Sequence, residues 1–188
     1  MVDTKQVAKH ALRFIGGTPK VYAYYNDNKS KTVDIATFYN GYLRGKITTS
    51  TLGFSSRDTG LVVDEHPLRV ELMAAADKEY DGDIQHILSS AAFEIMDGIP
   101  IGHGMIVDNI IQWYIPNSQM KHCLFVTPQY WSKYTSYFDN STYVAWLCLI
   151  PISDVERMYI KRHGFDAFDK IMERRNINIF DLNRSTIV

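Results

Sequence analysis

YVAWLCLIPISDVE, the stretch from Tyr143 to Glu156, decides the fold of this chain. Its first eight residues are almost continuously apolar, which is typical of a strand that lies in the centre of a sheet and is buried on both faces. Ser153 and Glu156 follow with the spacing of a capping box, a pair that satisfies free backbone amides at a helix start. The stretch therefore predicts a central strand that leads directly into a helix ending at Gly164.

Helical periodicity recurs in three other segments. In each, apolar residues follow one another at intervals of three and four, and glycine or a capping residue marks an end. The middle segment is the strongest, because Asp81-Gly82-Asp83 precedes it, Gly98 follows it and its apolar stripe needs a sheet to pack on. The predicted helices cover residues 4–15, 84–95 and 165–175.

Strand signals fill most of the remaining chain. They are short runs rich in β-branched and aromatic residues, some of which alternate apolar and polar side chains. Together with the helices they predict one α+β domain over residues 1–188, because no linker, repeat or low-complexity tract divides the chain. Besides the central strand, the predicted strands are Val21–Tyr25, Thr32–Phe38, Thr48–Ser55, Leu68–Leu72, Met105–Ile115, Cys123–Val126 and a short one near Ile179–Leu182.

Charge and hydropathy exclude several classes of partner. The 20 basic and 21 acidic residues leave a net charge of −1, which provides no long-range field to attract nucleic acid or an anionic membrane. The N-terminus lacks the pattern of a signal peptide, and no apolar run approaches the length of a membrane span. We therefore expect a cytoplasmic protein that binds neither nucleic acid nor membrane.

No cofactor, metal or catalytic motif is recognisable. Gly102-His103-Gly104 lacks the third glycine of a dinucleotide-binding turn, and the six histidines are scattered without the spacing of a zinc site. Cys123 and Cys148 lie in apolar runs and are expected to be reduced core residues, with a disulfide between neighbouring strands as the alternative. An enzyme would need a dispersed site, for which the candidates are His103, His122, Asp108 and Glu71.

Residues 130–138 contain more aromatic side chains than a single buried face would need. Five aromatic residues occur within nine positions, separated by polar residues. Tyrosine and tryptophan are enriched at interface hot spots because they bury a large area and keep a polar group. The alternative is that they cover a sheet edge or fill the core. The predicted partner-binding residues are Tyr130, Trp131, Tyr134, Tyr137 and Phe138.

The C-terminal part of the chain resembles the end of suppressor-of-fused-like domains. The order of its parts carries the resemblance: a strand, Pro-Ile-Ser, a helix, a glycine, a second helix and then Asp-Leu-Asn-Arg. Upstream segments are similar to the same family, so the resemblance spans most of the chain. The segments concerned are Trp146–Arg157, His163–Phe165 and Phe180–Arg184, and upstream Ser50–Gly53, Arg69–Leu72 and Gly104–Pro116 followed by Met120–His122.

The resemblance implies an α+β fold with a mixed, largely antiparallel sheet, no catalytic residues and a function in protein binding. Animal members carry a second domain for which this chain is too short, whereas small bacterial members look like immunity proteins that neutralise a toxin of the same cell, often a nuclease. Because immunity proteins against basic nucleases are often strongly acidic, the nearly neutral charge leaves the chemistry of the toxin open. A regulatory interaction domain without a toxin partner is the alternative.

Overall fold

The computed structural model describes residues 2–131, 135–139 and 141–188. Within these residues the chain forms five α-helices and nine strands. The helices are α1 (Thr4–Ile15), α2 (Asp83–Met96), α3 (Ile110–Tyr114), α4 (Asp154–His163) and α5 (Phe165–Arg175). The strands are β1 (Thr18–Tyr25), β2 (Thr32–Tyr39), β3 (Lys46–Leu52), β4 (Val62–Val63), β5 (His66–Asp77), β6 (Met105–Val107), β7 (Met120–Val126), β8 (Ser136–Asp139) and β9 (Thr142–Ser153).

A single sheet connects all of these strands. Its main order is β1-β2-β3-β5-β9-β7-β6, with β4 paired to β5 and β8 paired to β9. The pair β5/β9 is parallel and the other pairs are antiparallel. β9 is central as predicted: β5 lies along one edge, while the other edge pairs with β8 near Thr142 and with β7 near Ser153. The prediction of an α+β fold with a mixed, largely antiparallel sheet is therefore confirmed.

Helices cover both faces of the sheet, and β9 contributes side chains to both layers. Leu147 and Leu149 belong to the apolar cluster that contains α2 and α3. On the opposite face, Trp146 packs with α1, and Ile150 packs with α4 and α5. Successive side chains of a strand point to opposite faces, so a strand covered on both sides must be apolar throughout.

The capping box forms and also anchors the C-terminal tail. The Ser153 Oγ accepts from the Glu156 amide at 3.2 Å, and the Glu156 carboxylate accepts from the Ser153 amide at 2.9 Å. Glu156 is fully buried, and Arg184 forms two hydrogen bonds to its carboxylate, of 2.6 and 2.9 Å. The Ile187 amide donates to the same carboxylate at 3.0 Å. One glutamate thus joins the start of α4 to the last residues of the chain.

A second buried carboxylate, Glu71 on β5, has a different environment. It lies beside the single-turn helix Phe54–Ser56, and its donors are the amides of Gly53, Phe54 and Ser55 and the hydroxyls of Thr51 and Ser55. No cation pairs with it among the described residues. Burial raises the pKa of Glu71 from its ordinary value of 4.5 to about 7, while the hydrogen bonds from Ser55 and Thr51 act in the opposite direction.

Two of the strand predictions were wrong, one in part and one over its whole length. Residues 110–114 of the predicted strand Met105–Ile115 form α3, because Asn109 takes a left-handed conformation (φ 64°) that ends β6. Near Ile179–Leu182 the chain turns instead of extending. The Asn178 side chain accepts from the Phe180 amide at 3.2 Å, and this local bond competes with strand pairing.

The buried pair Glu156–Arg184 leads to a stability prediction. Arg184→Met should lower the free energy of unfolding by about 3–5 kcal/mol, because it leaves the Glu156 carboxylate buried without a cation. Urea unfolding measures this loss. The double variant Glu156→Gln/Arg184→Met should recover part of it, and Arg174→Met, the same change at an exposed residue of α5, should have almost no effect. A loss as small as that of the control would contradict this role for Arg184.

The raised pKa of Glu71 leads to a pH prediction. Between pH 4.5 and about 7 the folded protein retains a proton that the unfolded chain has released, so Glu71 makes the folded state less stable as the pH rises through this interval. We expect the free energy of unfolding of the wild type, measured by urea titration across this interval, to fall relative to that of Glu71→Gln. The difference in slope should approach about 1.4 kcal/mol per pH unit. Parallel pH profiles for the two proteins would show that Glu71 does not titrate there.

Candidate protein-binding surfaces

The aromatic segment predicted to bind a partner is divided by the structure between surface and core. Tyr130 and Phe138 are exposed, with 57% and 46% of their surface accessible. Trp131 is buried, and Tyr137 is half-buried. Tyr134 lies outside the described residues. The partner-binding role of these five residues stays a prediction, and the exposed members that could carry it are Tyr130 and Phe138.

The two less exposed aromatics pack against the layer that contains α1. The Trp131 ring lies 5.9 Å from the Phe180 ring, measured between centroids, and Tyr137 lies 4.6 Å from His10. Burial raises the pKa of Tyr137 to about 12, which keeps its hydroxyl neutral. The alternative reading, that aromatic residues of this segment fill the core, thus describes Trp131 and in part Tyr137.

A cavity of about 250 Å³ lies between this segment and α5. Tyr130 and Trp131 form part of its wall, Ile150 and Met172 contribute apolar surface, and Glu173 belongs to the α5 side. The cavity places the exposed Tyr130 next to an opening in the helix layer. We name this region the Tyr130 surface.

A larger groove of about 820 Å³ lies on the other face of the sheet. The end of β1 with the turn that follows it, Ala23–Asn28, forms one side. α2 contributes His86, Ser89, Ser90, Phe93 and Glu94, followed by Asp97, and α3 contributes Trp113 and Tyr114. We name this region the β1–α2–α3 groove.

Aromatic contacts give the groove a defined wall. The His86 ring stacks on Tyr114 with centroids 5.6 Å apart and meets the edge of Tyr24 at 5.2 Å. The Tyr114 hydroxyl lies 2.6 Å from the Ser90 hydroxyl, a hydrogen bond between α3 and α2. Tyr25 and Trp113 remain 59% and 57% exposed at the rim. Three segments far apart in the chain therefore form one concave surface.

Sequence patterns did not indicate this groove. Trp113 was part of the segment predicted as a strand, where alternate side chains are buried, whereas a helical turn leaves it exposed. Nothing in the spacing of residues 23–28, 86–97 and 113–114 indicates that they meet. The sequence offers one signal for the exposure of Trp113, which is its polar neighbour Gln112.

Of the four residues considered for a dispersed enzyme site, the structure brings only His122 and Asp108 together. His122 and Asp108 are neighbours, with 3.4 Å between Nδ1 and the carboxylate. His122 Nδ1 accepts from the Asn109 amide at 3.0 Å, and its Nε2 lies 2.9 Å from Asp154. Both Asp108 oxygens accept from Arg157, which holds the pKa of Asp108 below its usual range.

The other two candidates have separate surroundings. His103 Nδ1 accepts from the Thr127 amide at 3.0 Å, and its ring packs against Phe165. Glu71 contacts residues 51–55 on a different part of the sheet. The structure thus divides the four candidates into one pair and two isolated residues, an arrangement that does not form a shared catalytic site.

Thiols, metals and membranes can be addressed for the described residues. Cys123 and Cys148 are buried and not bonded to each other, and burial raises the pKa of Cys148 to about 12. No group of three or more His, Cys, Asp or Glu side chains in the described ranges is arranged to hold a metal ion. Nor does any helix in these ranges have the length and apolar character needed to cross a membrane.

Comparison with known proteins finds similarity over most of the chain. The sequence model of the family described as Suppressor of fused protein (SUFU) matches residues 29–185. A Bacillus subtilis protein named Immunity protein YqcF is 34% identical over 188 residues, covering 99% of this chain and 97% of the relative.

Solved structures give the same fold. A suppressor of fused homologue from Neisseria gonorrhoeae superposes with a TM-score of 0.72 at 17% identity, covering 98% of this chain and 96% of the other. A chain of the Sufu-Fu complex gives a TM-score of 0.65 at 10% identity, with 97% and 91% covered. For Drosophila Suppressor of Fused the TM-score is 0.56 at 10% identity, and the match covers 97% of this chain but 49% of that one. The sequence matches place this chain in the suppressor of fused family.

Proposed function

We propose that this chain is a bacterial immunity protein that binds a cognate toxin directly and thereby neutralises it. The observation that carries the proposal is the 34% identity to a protein named as an immunity protein, over nearly the full length of both chains. The alignment extends over 99% of this chain and 97% of the relative, so the similarity is that of the whole domain and not of one motif. The proposed site of action is the cytoplasm.

Neutralisation by this chain requires no chemistry of its own. The polar side chains with the best prospects for catalysis already have partners inside the protein: Asp108 binds Arg157, His122 binds Asp154 and Glu71 binds backbone amides. A bound protein inhibits a toxin by covering its active site or by blocking access to its substrate. We therefore propose a binding protein without catalytic activity, and a nuclease as one class of toxin.

The Tyr130 surface and the exposed Phe138 are proposed contacts for the toxin. Tyr130 and Phe138 are large exposed aromatic side chains, and Tyr130 borders a cavity that a partner side chain can enter. Aromatic residues of this kind contribute strongly to binding when a partner excludes water from them. Among the described residues, Tyr130 and Phe138 are the accessible members of the predicted set.

Co-expression tests the immunity function. A toxin encoded beside this chain should stop growth when expressed alone in a host cell, and the wild-type chain should restore growth when both are expressed. Loss of rescue by a destabilised variant such as Arg184→Met serves as a control that the folded protein is needed. Continued growth arrest in the presence of abundant folded protein would reject the immunity function and favour a regulatory interaction domain.

Alanine substitution tests the Tyr130 surface. Tyr130→Ala and Phe138→Ala should each weaken toxin binding about tenfold, because each truncation removes an exposed aromatic contact. Tyr130 also packs on Phe180 and Phe138 on Tyr143, so thermal unfolding checks that each variant keeps its fold. Tyr42→Ala provides the matched control, since Tyr42 is 70% exposed and its ring lies over Gly16 at the end of α1, whereas Tyr130 packs on Phe180. Affinities measured by calorimetry that are equal for all three variants and the wild type would remove Tyr130 and Phe138 from the interface.

A further inference from the structure

The charged side chains that line the β1–α2–α3 groove are acidic. Asp27, Glu94 and Asp97 belong to its lining, and no lysine or arginine does so among the described residues. Lys31 pairs with Asp97 at one end, so that carboxylate is largely compensated. Asp27 and Glu94 make no ion pair within the described ranges. The groove therefore carries two carboxylates that a cation from outside can neutralise.

The exposed aromatics beside these carboxylates favour the same kind of occupant. Tyr25 and Trp113 present their rings at the rim, and each is more than half exposed. Aromatic faces attract ammonium and guanidinium groups, and they also pack against the aliphatic stems of lysine and arginine. Carboxylates and aromatic rings together thus match the two parts of a long basic side chain.

The size of the groove indicates a segment of a protein instead of one side chain or a small molecule. Its volume of about 820 Å³ extends over three structural elements, and its rim residues Tyr25 and Trp113 are open to solvent. A small molecule bound there would leave much of the aromatic surface wet. A polypeptide segment several residues long would cover both rings and reach both carboxylates.

The wall of the groove is held in place before any partner binds. The Ser90–Tyr114 hydrogen bond joins α2 to α3, and His86 packs between Tyr24 and Tyr114. Phe93, behind these residues, belongs to the apolar cluster that α2 forms with the sheet. A preformed surface lowers the entropy cost of ordering side chains on binding.

We propose that the β1–α2–α3 groove binds a positively charged segment of the toxin, with Trp113 as the principal aromatic contact and Glu94 as the principal electrostatic contact. This inference rests on the proposed immunity function and specifies the partner's chemistry: a surface segment rich in lysine or arginine. The groove lies on the opposite face of the sheet from the Tyr130 surface, so substitutions can distinguish the two regions.

Two charge reversals form a matched pair for the test. Glu94 is the third residue from the end of α2, and Glu173 is the third residue from the end of α5. A lysine near a helix C-terminus interacts favourably with the helix dipole, so both substitutions should preserve the fold. Glu94 belongs to the groove, whereas Glu173 belongs to the cavity beside Tyr130. The pair therefore compares the same change at two candidate surfaces.

The experiment measures binding of the purified full-length chain to the toxin encoded beside it, inactivated in its catalytic site, at low and high salt. Trp113→Ala should weaken binding about 30-fold. Glu94→Lys should weaken it about tenfold at low salt, mainly through slower association, and less at high salt, where surface charges are screened. Glu79→Lys, the same charge reversal at an exposed residue outside both surfaces, is the control and should stay within about twofold of wild type. Circular dichroism and thermal unfolding confirm that each variant is folded.

The outcomes separate this inference from the function on which it rests. If the wild-type chain forms no complex with the toxin, the immunity function fails and the groove assignment fails with it. If the complex forms but Trp113→Ala and Glu94→Lys bind like wild type, the groove assignment alone is overturned. A loss in Glu173→Lys and Tyr130→Ala, without a loss in the groove variants, would confine the interface to the Tyr130 surface and overturn the groove assignment.

Discussion

Burial of β9 on both faces is the constraint on which the rest of the structure depends. Trp146 on one face and Leu147 on the other each need a complete layer of apolar partners, so the strand is stable only between two layers of helices. The parallel pairing with β5 follows from the same position. A parallel pair needs a long connection, and here the chain between β5 and β9 supplies α2, α3 and further strands. β9, the last strand in sequence, therefore lies at the centre of the sheet.

Two buried carboxylates add specificity to a core whose energy is mainly apolar. Glu156 accepts hydrogen bonds from both the start of α4 and the C-terminal tail, while Glu71 accepts hydrogen bonds from the amides of the turn after β3. Apolar packing is tolerant of small shifts, whereas buried charged groups destabilise the fold when they lose their partners. Both glutamates belong to segments that resemble the family, which gives those short motifs a physical reason: they hold loops and termini against the sheet.

The strength of the sequence signals explains which parts of the fold were predictable. The capping box at Ser153 and the stripe of α2 are local patterns that tertiary contacts reinforce, so both helices were predicted close to their observed bounds. β6 and α3 were merged into one strand, because an apolar run does not reveal the left-handed Asn109 that divides it. Residues 74–76 of β5 are alanines, which favour helices in isolation and are in a strand here because both faces are covered.

The candidate surfaces were harder to predict, since each combines exposure with proximity between distant segments. Composition located aromatic residues at 130–138 but did not reveal that Trp131 is buried or that Trp113 is exposed. The same limitation applies to charge. A net charge of −1 excludes a long-range field, yet in physiological salt charges interact only over about 8 Å. The two unpaired carboxylates of the groove therefore act on a docked segment whatever the net charge of the chain. The proposed function is therefore compatible with a nearly neutral chain, in which local complementarity binds the partner with less electrostatic acceleration of the encounter than a strongly acidic chain would have.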